Sequence, residues 1–120
     1  MGQIWRKQIE GREFTLVARS WSNSRAWGHE CQLYLNGSEE ESYRIRYYNR
    51  TWECYCYQSV IKSCLDKYIG KLEAWWEARF REEFNVKRMT KHLRETLGEW
   101  MKDKAEYTTI VGLKAWYDEL

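Results

Sequence analysis

Residues 43–76 read YRIRYYNRTWECYCYQSVIKSCLDKYIGKLEAWW, and this stretch decides the fold. As far as Tyr48, apolar and polar side chains alternate with a period of two, which is typical of a strand with one buried face. From Thr51 onward, apolar residues recur at spacings of three and four, which indicates an amphipathic helix. The period changes between Asn49 and Glu53. The stretch therefore predicts a sheet whose last strand leads into a helix.

Two further strands are predicted upstream, because the period of two recurs over residues 14–19 and 29–35. Asn36-Gly37 is a two-residue turn signal between neighbouring strands. A fourth strand at the edge of the sheet, over residues 3–9 ahead of Glu10-Gly11, is left undecided by the sequence. The first part of the chain is thus predicted to be an antiparallel sheet of three or four strands.

The helical pattern predicts one long helix over about 51–84, with Gly70 on its exposed side. Asn85 is a candidate N-terminal cap for a second helix over about 86–103. A third helix, capped by a threonine at its start, is predicted over about 108–119. The lack of proline in the chain permits helices of this length.

Strands followed by helices are typical of the α+β class. We therefore expect a single α+β domain over residues 1–120, with a sheet over about 3–48 packed on one long helix. Two shorter C-terminal helices complete this architecture. A length of 120 residues supports one domain.

The composition excludes some classes of protein. The 20 basic and 18 acidic residues give a net charge of +2, which excludes a histone-like polycation and a polyanionic surface. No apolar run reaches the ~20 residues that span a bilayer, and the N-terminus lacks the apolar region of a signal peptide. We expect a cytoplasmic chain with reduced cysteines and no membrane partner.

Aromatic residues are unusually frequent, with 8 tryptophans and 9 tyrosines. Many fall on the apolar stripes and are predicted to lie in the core: Phe14, Tyr43, Tyr47, Tyr57, Tyr68, Trp75, Trp76, Trp100 and Trp116. Others fall off the stripes and are available to bind a partner: Trp21, Trp27, Tyr34, Tyr48 and Tyr55. Trp52 is undecided, since it lies where the sheet meets the helix.

Nothing in the sequence argues for catalysis, because it holds only two histidines and none of the common catalytic or phosphate-binding motifs. One set of possible metal ligands combines His29, Cys31, Cys54 and Cys56. Structural zinc sites usually draw on two cysteines separated by two to four residues, and side chains two apart on a helix diverge. The cysteines are therefore predicted to be small core residues, and no catalytic residue, metal or cofactor is predicted.

Three features could bind a protein partner. Tryptophan, tyrosine and arginine dominate the energetics of interfaces, and acidic side chains can face a partner's basic groove. The candidate partner-binding residues are Trp21, Arg25 and Trp27 in a hairpin connection, Glu39, Glu40 and Glu41 at an acidic tip, and Tyr48 and Arg50 at the end of the sheet. The alternatives are that both tryptophans fold back over the sheet edge and that the acidic tip is a soluble turn.

Two basic patches could contact nucleic acid. Arg44 and Arg46 lie on the polar face of the third strand, where arginine and aromatic side chains resemble the base-stacking surface of RNA-binding sheets. Lys87, Arg88, Lys91 and Arg94 are predicted to share a face of the second helix and could contact phosphate. The alternative for both patches is a solvated surface.

Residues 47–60, YYNRTWECYCYQSV, resemble small accessory proteins encoded on phages and mobile elements of Firmicutes. The Asn36-Gly37 turn and residues 86–90 are similar to the same group. Proteins of this provenance include anti-CRISPR and other counter-defence inhibitors. The resemblance implies a non-catalytic inhibitor that binds a bacterial defence nuclease or nucleoprotein complex, for example Cas9, by steric occlusion. The alternative is a small nucleic-acid-binding accessory protein, and the oligomeric state is left open.

Overall fold

The chain folds as a four-stranded antiparallel sheet followed by three helices, which confirms the predicted α+β class. The computed structural model describes residues 2–48 and 57–120, without the side chains of residues 39–41, 47 and 48. The elements in chain order are β1 (Gly2–Ile9), β2 (Arg12–Ser22), β3 (Trp27–Leu35), β4 (Ser38–Tyr48), α1 (Tyr57–Glu83), α2 (Lys91–Met101) and α3 (Ala105–Glu119).

Each strand pairs with the next one in the sequence, in the order β1-β2-β3-β4. Two of the three connections are two-residue turns with positive φ at both positions. The φ values are 50° and 75° at Glu10 and Gly11, and 53° and 71° at Asn36 and Gly37. Asparagine and glycine tolerate this left-handed backbone, and such turns match the twist of the flanking strands. The sheet therefore has four strands, with β1 as the edge strand that the sequence left undecided. The Asn36-Gly37 hairpin is as the sequence predicts.

The register between β3 and β4 shifts within the hairpin. Leu35 pairs with Ser38, but Tyr34 pairs with Ser42, so that residues 39–41 form a bulge in β4. Residues 38–41 thus belong to a strand, whereas the sequence predicts a turn extending through the three glutamates. Beyond the bulge the pairing is regular.

One face of the sheet packs against α1 and α3, with α1 against β2, β3 and β4 and α3 against β1. Burying the apolar side chains of this layer is the main favourable contribution to folding. The core contains, from the sheet, Phe14, Leu16, Ala18, Cys31 and Leu33, and from the helices, Val60, Ile61, Cys64, Leu65, Trp76, Ile110, Leu113 and Trp116.

The long helix α1 buries Trp76 but not Trp75, which is 51% exposed. The prediction that both lie in the core is therefore wrong for Trp75. Adjacent helical residues point about 100° apart, so only one of the two can follow the buried stripe here. The helix ends at Glu83, and its predicted start at residues 51–56 lies outside the described chain. No helix in the described ranges is both long enough and apolar enough to cross a membrane.

Trp100 joins α2 to the C-terminal half of α1. Its ring lies 5.7 Å from that of Trp76, 5.5 Å from that of Phe80 and 6.1 Å from that of Phe84, measured between centroids. Tilted and edge-on contacts of this kind add stability beyond the buried area. This aromatic cluster is what holds α2 against the long helix.

Asn85 ends α1 instead of beginning α2. It adopts a left-handed conformation with φ of 51°. Its amide donates to the carbonyl of Glu82 at 3.4 Å, and the amide of Val86 donates to that of Arg81 at 2.8 Å. These two bonds form a Schellman motif, in which asparagine is an accepted substitute for glycine. The predicted role of Asn85 as an N-cap is therefore wrong.

The second helix is shorter than the predicted 86–103. It begins at Lys91, where the side chain of Thr90 accepts a hydrogen bond from the amide of Leu93 at 3.2 Å. Thr90 is thus the N-cap, and residues 86–89 connect the two helices.

The third helix begins earlier than predicted, at Ala105 and not at residue 108. The cap residue Lys104 contributes no side-chain hydrogen bond. Thr108 lies inside the first turn and donates its hydroxyl to the carbonyl of Ala105 at 2.9 Å. Further along, Gly112 packs against Ile9 so closely that an added Cβ would lie 2.5 Å from the Cγ2 of Ile9.

Candidate binding surface

The face of the sheet opposite α1 and α3, here called the open face, carries most of the polar side chains of the strands. Directly paired residues of antiparallel strands point to the same face, so the register assigns the members. The open face comprises Ile4, Arg6, Gln8, Glu13, Thr15, Val17, Arg19, Trp21, Glu30, Gln32, Tyr34, Ser42, Arg44 and Arg46. Within the described chain no helix packs on it.

Glu30 lies at the centre of the open face and is surrounded by three arginines. Arg46 donates to its Oε2 from Nη2 at 3.0 Å and from Nε at 3.2 Å. The Nη1 of Arg44 lies 4.0 Å from Oε2, and the Nε of Arg19 lies 3.9 Å from Oε1. The glutamate side chain is only 11% exposed, whereas the arginines are about half exposed. One carboxylate among three guanidinium groups leaves a local surplus of positive charge.

Trp21 extends this arginine cluster. The guanidinium of Arg46 lies 4.9 Å from the centroid of the indole ring, within the range of a cation–π contact. Trp21 is paired with Gly28 on β3, which offers no side chain beside the ring. The same arginine therefore joins the buried carboxylate to an aromatic surface. We call Arg19, Trp21, Glu30, Arg44 and Arg46 the arginine–tryptophan cluster.

The predicted hairpin site of Trp21, Arg25 and Trp27 is not one surface. Trp27 pairs with Ser22, so it points to the opposite face from Trp21 and is 48% exposed there. Trp21 and Trp27 both lie in strands, which leaves only residues 23–26 as the loop. The grouping of the two tryptophans is wrong: directly paired residues share a face, Trp21 pairs with Gly28, and the neighbouring Trp27 points to the opposite face.

Arg25 is an exposed residue of the loop between β2 and β3. The Oδ1 of Asn23 accepts hydrogen bonds from the amides of Arg25 at 2.8 Å and Ala26 at 2.9 Å. Local bonds of this type fix the backbone of a tight loop. Arg25 therefore lies at the end of the sheet, in the loop between β2 and β3.

The basic residues near α2 do not form the single helical face that the sequence predicts. Lys87 and Arg88 precede the helix, and the carbonyl of Lys87 accepts a hydrogen bond from Arg81. Arg94 is on the helix, but its Nη1 lies 3.0 Å from the Oε1 of Glu77 on α1. Part of the positive charge is thus neutralised, and Lys91 remains as an exposed cation at the helix start.

Four predicted partner-binding side chains, those of Glu39, Glu40, Glu41 and Tyr48, lie outside the described side chains, and Arg50 lies outside the described residues. Of the predicted nucleic-acid residues, Arg44 and Arg46 are brought together in the arginine–tryptophan cluster.

Comparison with models of protein families, with curated proteins and with solved structures finds no match to this chain. The open face therefore has to be interpreted from its own chemistry.

Sequence reasoning missed Arg19 and Glu30 as members of the cluster. Arg19 lies opposite Glu30, and Glu30 lies opposite Arg46, in one row across three strands. The signal is charge complementarity across paired strands. This complementarity can be recognised only when the strand register is known. The turn signal does not predict that register, because the bulge in β4 shifts it.

Two residues of the candidate metal set, His29 and Cys31, lie within the described chain. Both are on the face of the sheet that packs against α1. Cys31 is fully buried, and the ring of His29 contacts that of Tyr57 edge-on at 5.3 Å. Cys54 and Cys56 lie outside the described residues. Among the described side chains, no three of the metal-binding types converge.

Cys31 and Cys64 lie together between the sheet and α1, and both are free thiols. The Sγ of Cys64 donates to the carbonyl of Cys31 at 3.7 Å. Hydrogen bonding with Cys64, reinforced by burial, raises the pKa of the Cys31 thiol far above its ordinary value. A thiol with a raised pKa is a poor nucleophile, which agrees with a packing role.

A cavity of about 580 Å³ lies on the other side of the sheet, between the start of β2, the middle of α1 and the start of α3. Its walls are mostly apolar, with Phe14, Tyr68, Leu72, Trp75, Trp76 and Ile110, and its polar groups are Arg12, Lys71, Glu106 and Thr109. No local sequence pattern indicates this cavity, because its residues come from three distant segments.

Proposed function

We propose that this protein is a non-catalytic inhibitor that binds a bacterial defence nuclease, of the CRISPR type such as Cas9, in the cytoplasm of a bacterial host. It binds through the open face of its sheet and blocks the nuclease by occupying a surface that the enzyme needs. The observation that carries the proposal is the arginine–tryptophan cluster on a sheet face that no described helix covers. The resemblance of residues 47–60 to accessory proteins of phages is the reason for proposing a CRISPR nuclease as the target.

The chemistry of the cluster suits a macromolecular partner. Arginine and tryptophan are the residues most enriched at binding hot spots, where a few anchors supply most of the affinity. The positive surplus around Glu30 attracts acidic protein surfaces and the phosphates of nucleic acid held by a nuclease. The salt bridges to Glu30 fix the guanidinium groups before binding, which reduces the entropy that association costs.

The first test is a DNA-cleavage assay and a pull-down with CRISPR nucleases of potential hosts. The informative variant combines Arg19→Gln with Arg44→Gln, which keeps both hydrogen bonds from Arg46 to the Oε2 of Glu30. We expect inhibition to weaken by at least about tenfold. The matched control, Arg88→Gln with Lys91→Gln, removes the same charge away from the sheet and should inhibit normally. Absence of binding and of inhibition across a broad panel would refute the proposal.

A second candidate function is direct binding of single-stranded nucleic acid. It is favoured by the coincidence of three arginines with Trp21 and Tyr34 on one open sheet, since single strands bind by stacking bases on rings and pairing phosphates with cations. In a salt titration with an oligonucleotide alone, losing Arg19 and Arg44 should reduce the slope of log K against log salt by about 1.4. Affinity that does not fall with salt, or that needs the nuclease, excludes this function.

A further inference from the structure

We propose that the cavity between β2, α1 and α3 is a binding site for a small aromatic carboxylate. Neither the proposed function nor the open face involves this cavity, which lies on the helix side of the sheet. Its volume of about 580 Å³ falls within the range of about 300–1,000 Å³ that is usual for small-molecule sites.

The apolar end of the cavity suits a flat ring. Four aromatic side chains line it, those of Phe14, Tyr68, Trp75 and Trp76. The rings of Trp75 and Trp76 meet edge-on with centroids 4.8 Å apart. Trp75 is half exposed although its neighbour is buried, so a ligand ring in the cavity would remove indole surface from water. Aromatic walls favour ring-shaped ligands through offset and edge-on contacts.

The polar end of the cavity suits an anion. Arg12 has no ion pair with any described acidic residue, and it lines both this cavity and a smaller adjoining one of about 310 Å³. Lys71 is also in the wall, but its ammonium group lies 5.5 Å from the ring of Tyr43 and is engaged there. Arg12 is therefore the cation that a carboxylate would meet, and a guanidinium can bind a carboxylate with two hydrogen bonds.

Two further groups point to an anion at the same end. Thr109 is 7% exposed and lines both cavities. Its hydroxyl can donate a hydrogen bond to an anion that enters either cavity. The 15-residue helix α3 begins here with a cap residue, Lys104, that gives no side-chain bond to the first turn. The positive end of its dipole adds to the field at Arg12.

Glu106 opposes this field, because its carboxylate lines the same two cavities. It makes no ion pair with a described base, and Glu10 adds a second carboxylate in the wall of the smaller cavity. Neutralising Glu106 should therefore strengthen the binding of an anion and weaken that of a cation. This opposite response distinguishes a site whose affinity depends on the charge of the ligand from a purely apolar cavity.

The test uses three probes of matched shape, naphthaleneacetate, naphthylethanol and naphthylethylamine, with the full chain and isothermal titration calorimetry. We expect naphthaleneacetate to bind with a dissociation constant of about a millimolar or below. The alcohol should bind about tenfold more weakly, and the amine more weakly still. Amide chemical shifts should move at the start of α3 and along the middle of α1.

The variants assign the contacts. Arg12→Met should abolish the preference for the acid over the alcohol, while Arg6→Met, the same change on the open face, should leave it intact. Thr109→Val should reduce that preference by about threefold. Glu106→Gln should raise the affinity for the acid and lower that for the amine, and Trp75→Ala should weaken all three probes. Circular dichroism confirms that each variant is folded.

Several outcomes would overturn the proposal. Equal affinities for the acid and the alcohol would show a non-specific apolar cavity. An unchanged acid preference in Arg12→Met would place the anion elsewhere. Absence of probe binding, with concentration-dependent association that Trp75→Ala removes, would show that a second copy of the chain covers the cavity instead.

Discussion

Glu30 is an acidic residue that holds a basic surface together on the open face. Its carboxylate is the only acid near Arg19, Arg44 and Arg46 among the described ion pairs, and without it three guanidinium groups would repel one another. Because the glutamate is largely buried, the arginine side chains converge on it and their outer edges remain in solvent. A single buried acid thus organises the basic surface around it.

Cys31 gives a pH-dependent prediction at the same scale. Its thiol pKa is raised above the ordinary value of 9.0 in the folded chain. Above about pH 9 the unfolded chain therefore loses a proton that the native chain keeps, and unfolding is favoured. The free energy of unfolding should fall with a contribution of up to about 1.4 kcal/mol per pH unit from this group. Urea titrations at a series of pH values measure it.

The control is Cys31→Ala, which removes the titrating thiol. It should be less stable at neutral pH because it leaves a small cavity. The gap between wild type and variant should then narrow above about pH 9. A gap that is independent of pH would contradict the assigned role of the thiol, whatever the other alkaline groups contribute, because those are common to both proteins.

At the scale of elements, the bulge in β4 decides which side chains reach the core. An unshifted Asn36-Gly37 hairpin would pair Leu33 with Glu40 and set a carboxylate on the buried face. The observed shift pairs Leu33 with Tyr43 and Cys31 with Ile45. Bulges accommodate extra residues at a modest local cost. The alternation of apolar residues predicts the faces of β4 correctly, but neither it nor the turn signal predicts its partners.

Two glycines offer a matched test of helix packing. Gly70 on α1 is exposed and has nothing within 4 Å of an added Cβ, as its place on the wheel predicts, whereas Gly112 on α3 contacts Ile9. Gly70→Ala should stabilise the chain by about 0.5–1 kcal/mol through helix propensity. Gly112→Ala should destabilise it by about 1–3 kcal/mol, since Ile9 must move. Thermal denaturation distinguishes the signs, and stabilisation by both would contradict the packing of α3 on β1.

Two threonines test the start of α2. Thr90 caps the helix, while Thr96 lies within it and donates to the carbonyl of His92 at 3.1 Å. Thr90→Ala should reduce the free energy of unfolding by about 1 kcal/mol. Thr96→Ala should be neutral or slightly stabilising, because alanine is the better helix former. Equal effects would argue against Thr90 as the N-cap, and urea denaturation provides the comparison.

At the scale of the whole molecule, the sheet separates two proposed binding regions. The arginine–tryptophan cluster lies on one face and the cavity with Arg12 on the other, with closely packed side chains such as Leu16 on the helix side. If both proposals hold, saturating naphthaleneacetate should change the affinity of the open face for its partner by less than about twofold. Calorimetry with and without the probe measures this.

A larger coupling would contradict the view of the sheet as a rigid divider. The Arg12→Met variant then serves as the control, because coupling that passes through the cavity must require about tenfold more probe once the acid binds no better than the alcohol. Coupling at an unchanged probe concentration in that variant would mean that the probe also binds the open face.

The global architecture follows from local patterns, whereas the candidate binding regions depend on contacts between distant segments. The change of period between Tyr48 and Tyr57 is sufficient for an α+β order, because it reports burial on one face of each element. The cavity joins Arg12 to Glu106 and Thr109, and the cluster joins Arg19 to Glu30 through pairing. These contacts between distant residues depend on the strand register and on the placement of α3, and no local sequence pattern encodes either.

The order of the strands also has a consequence for the chain as it is synthesised. Because every strand pairs with its neighbour in the sequence, the sheet requires only local contacts and can form by residue 48. Its apolar side, with Phe14, Leu16 and Leu33, has no cover until α1 has been made. The nascent chain therefore passes through an interval in which a complete sheet presents a bare hydrophobic surface, and that interval is when chaperones would bind it or aggregation would begin.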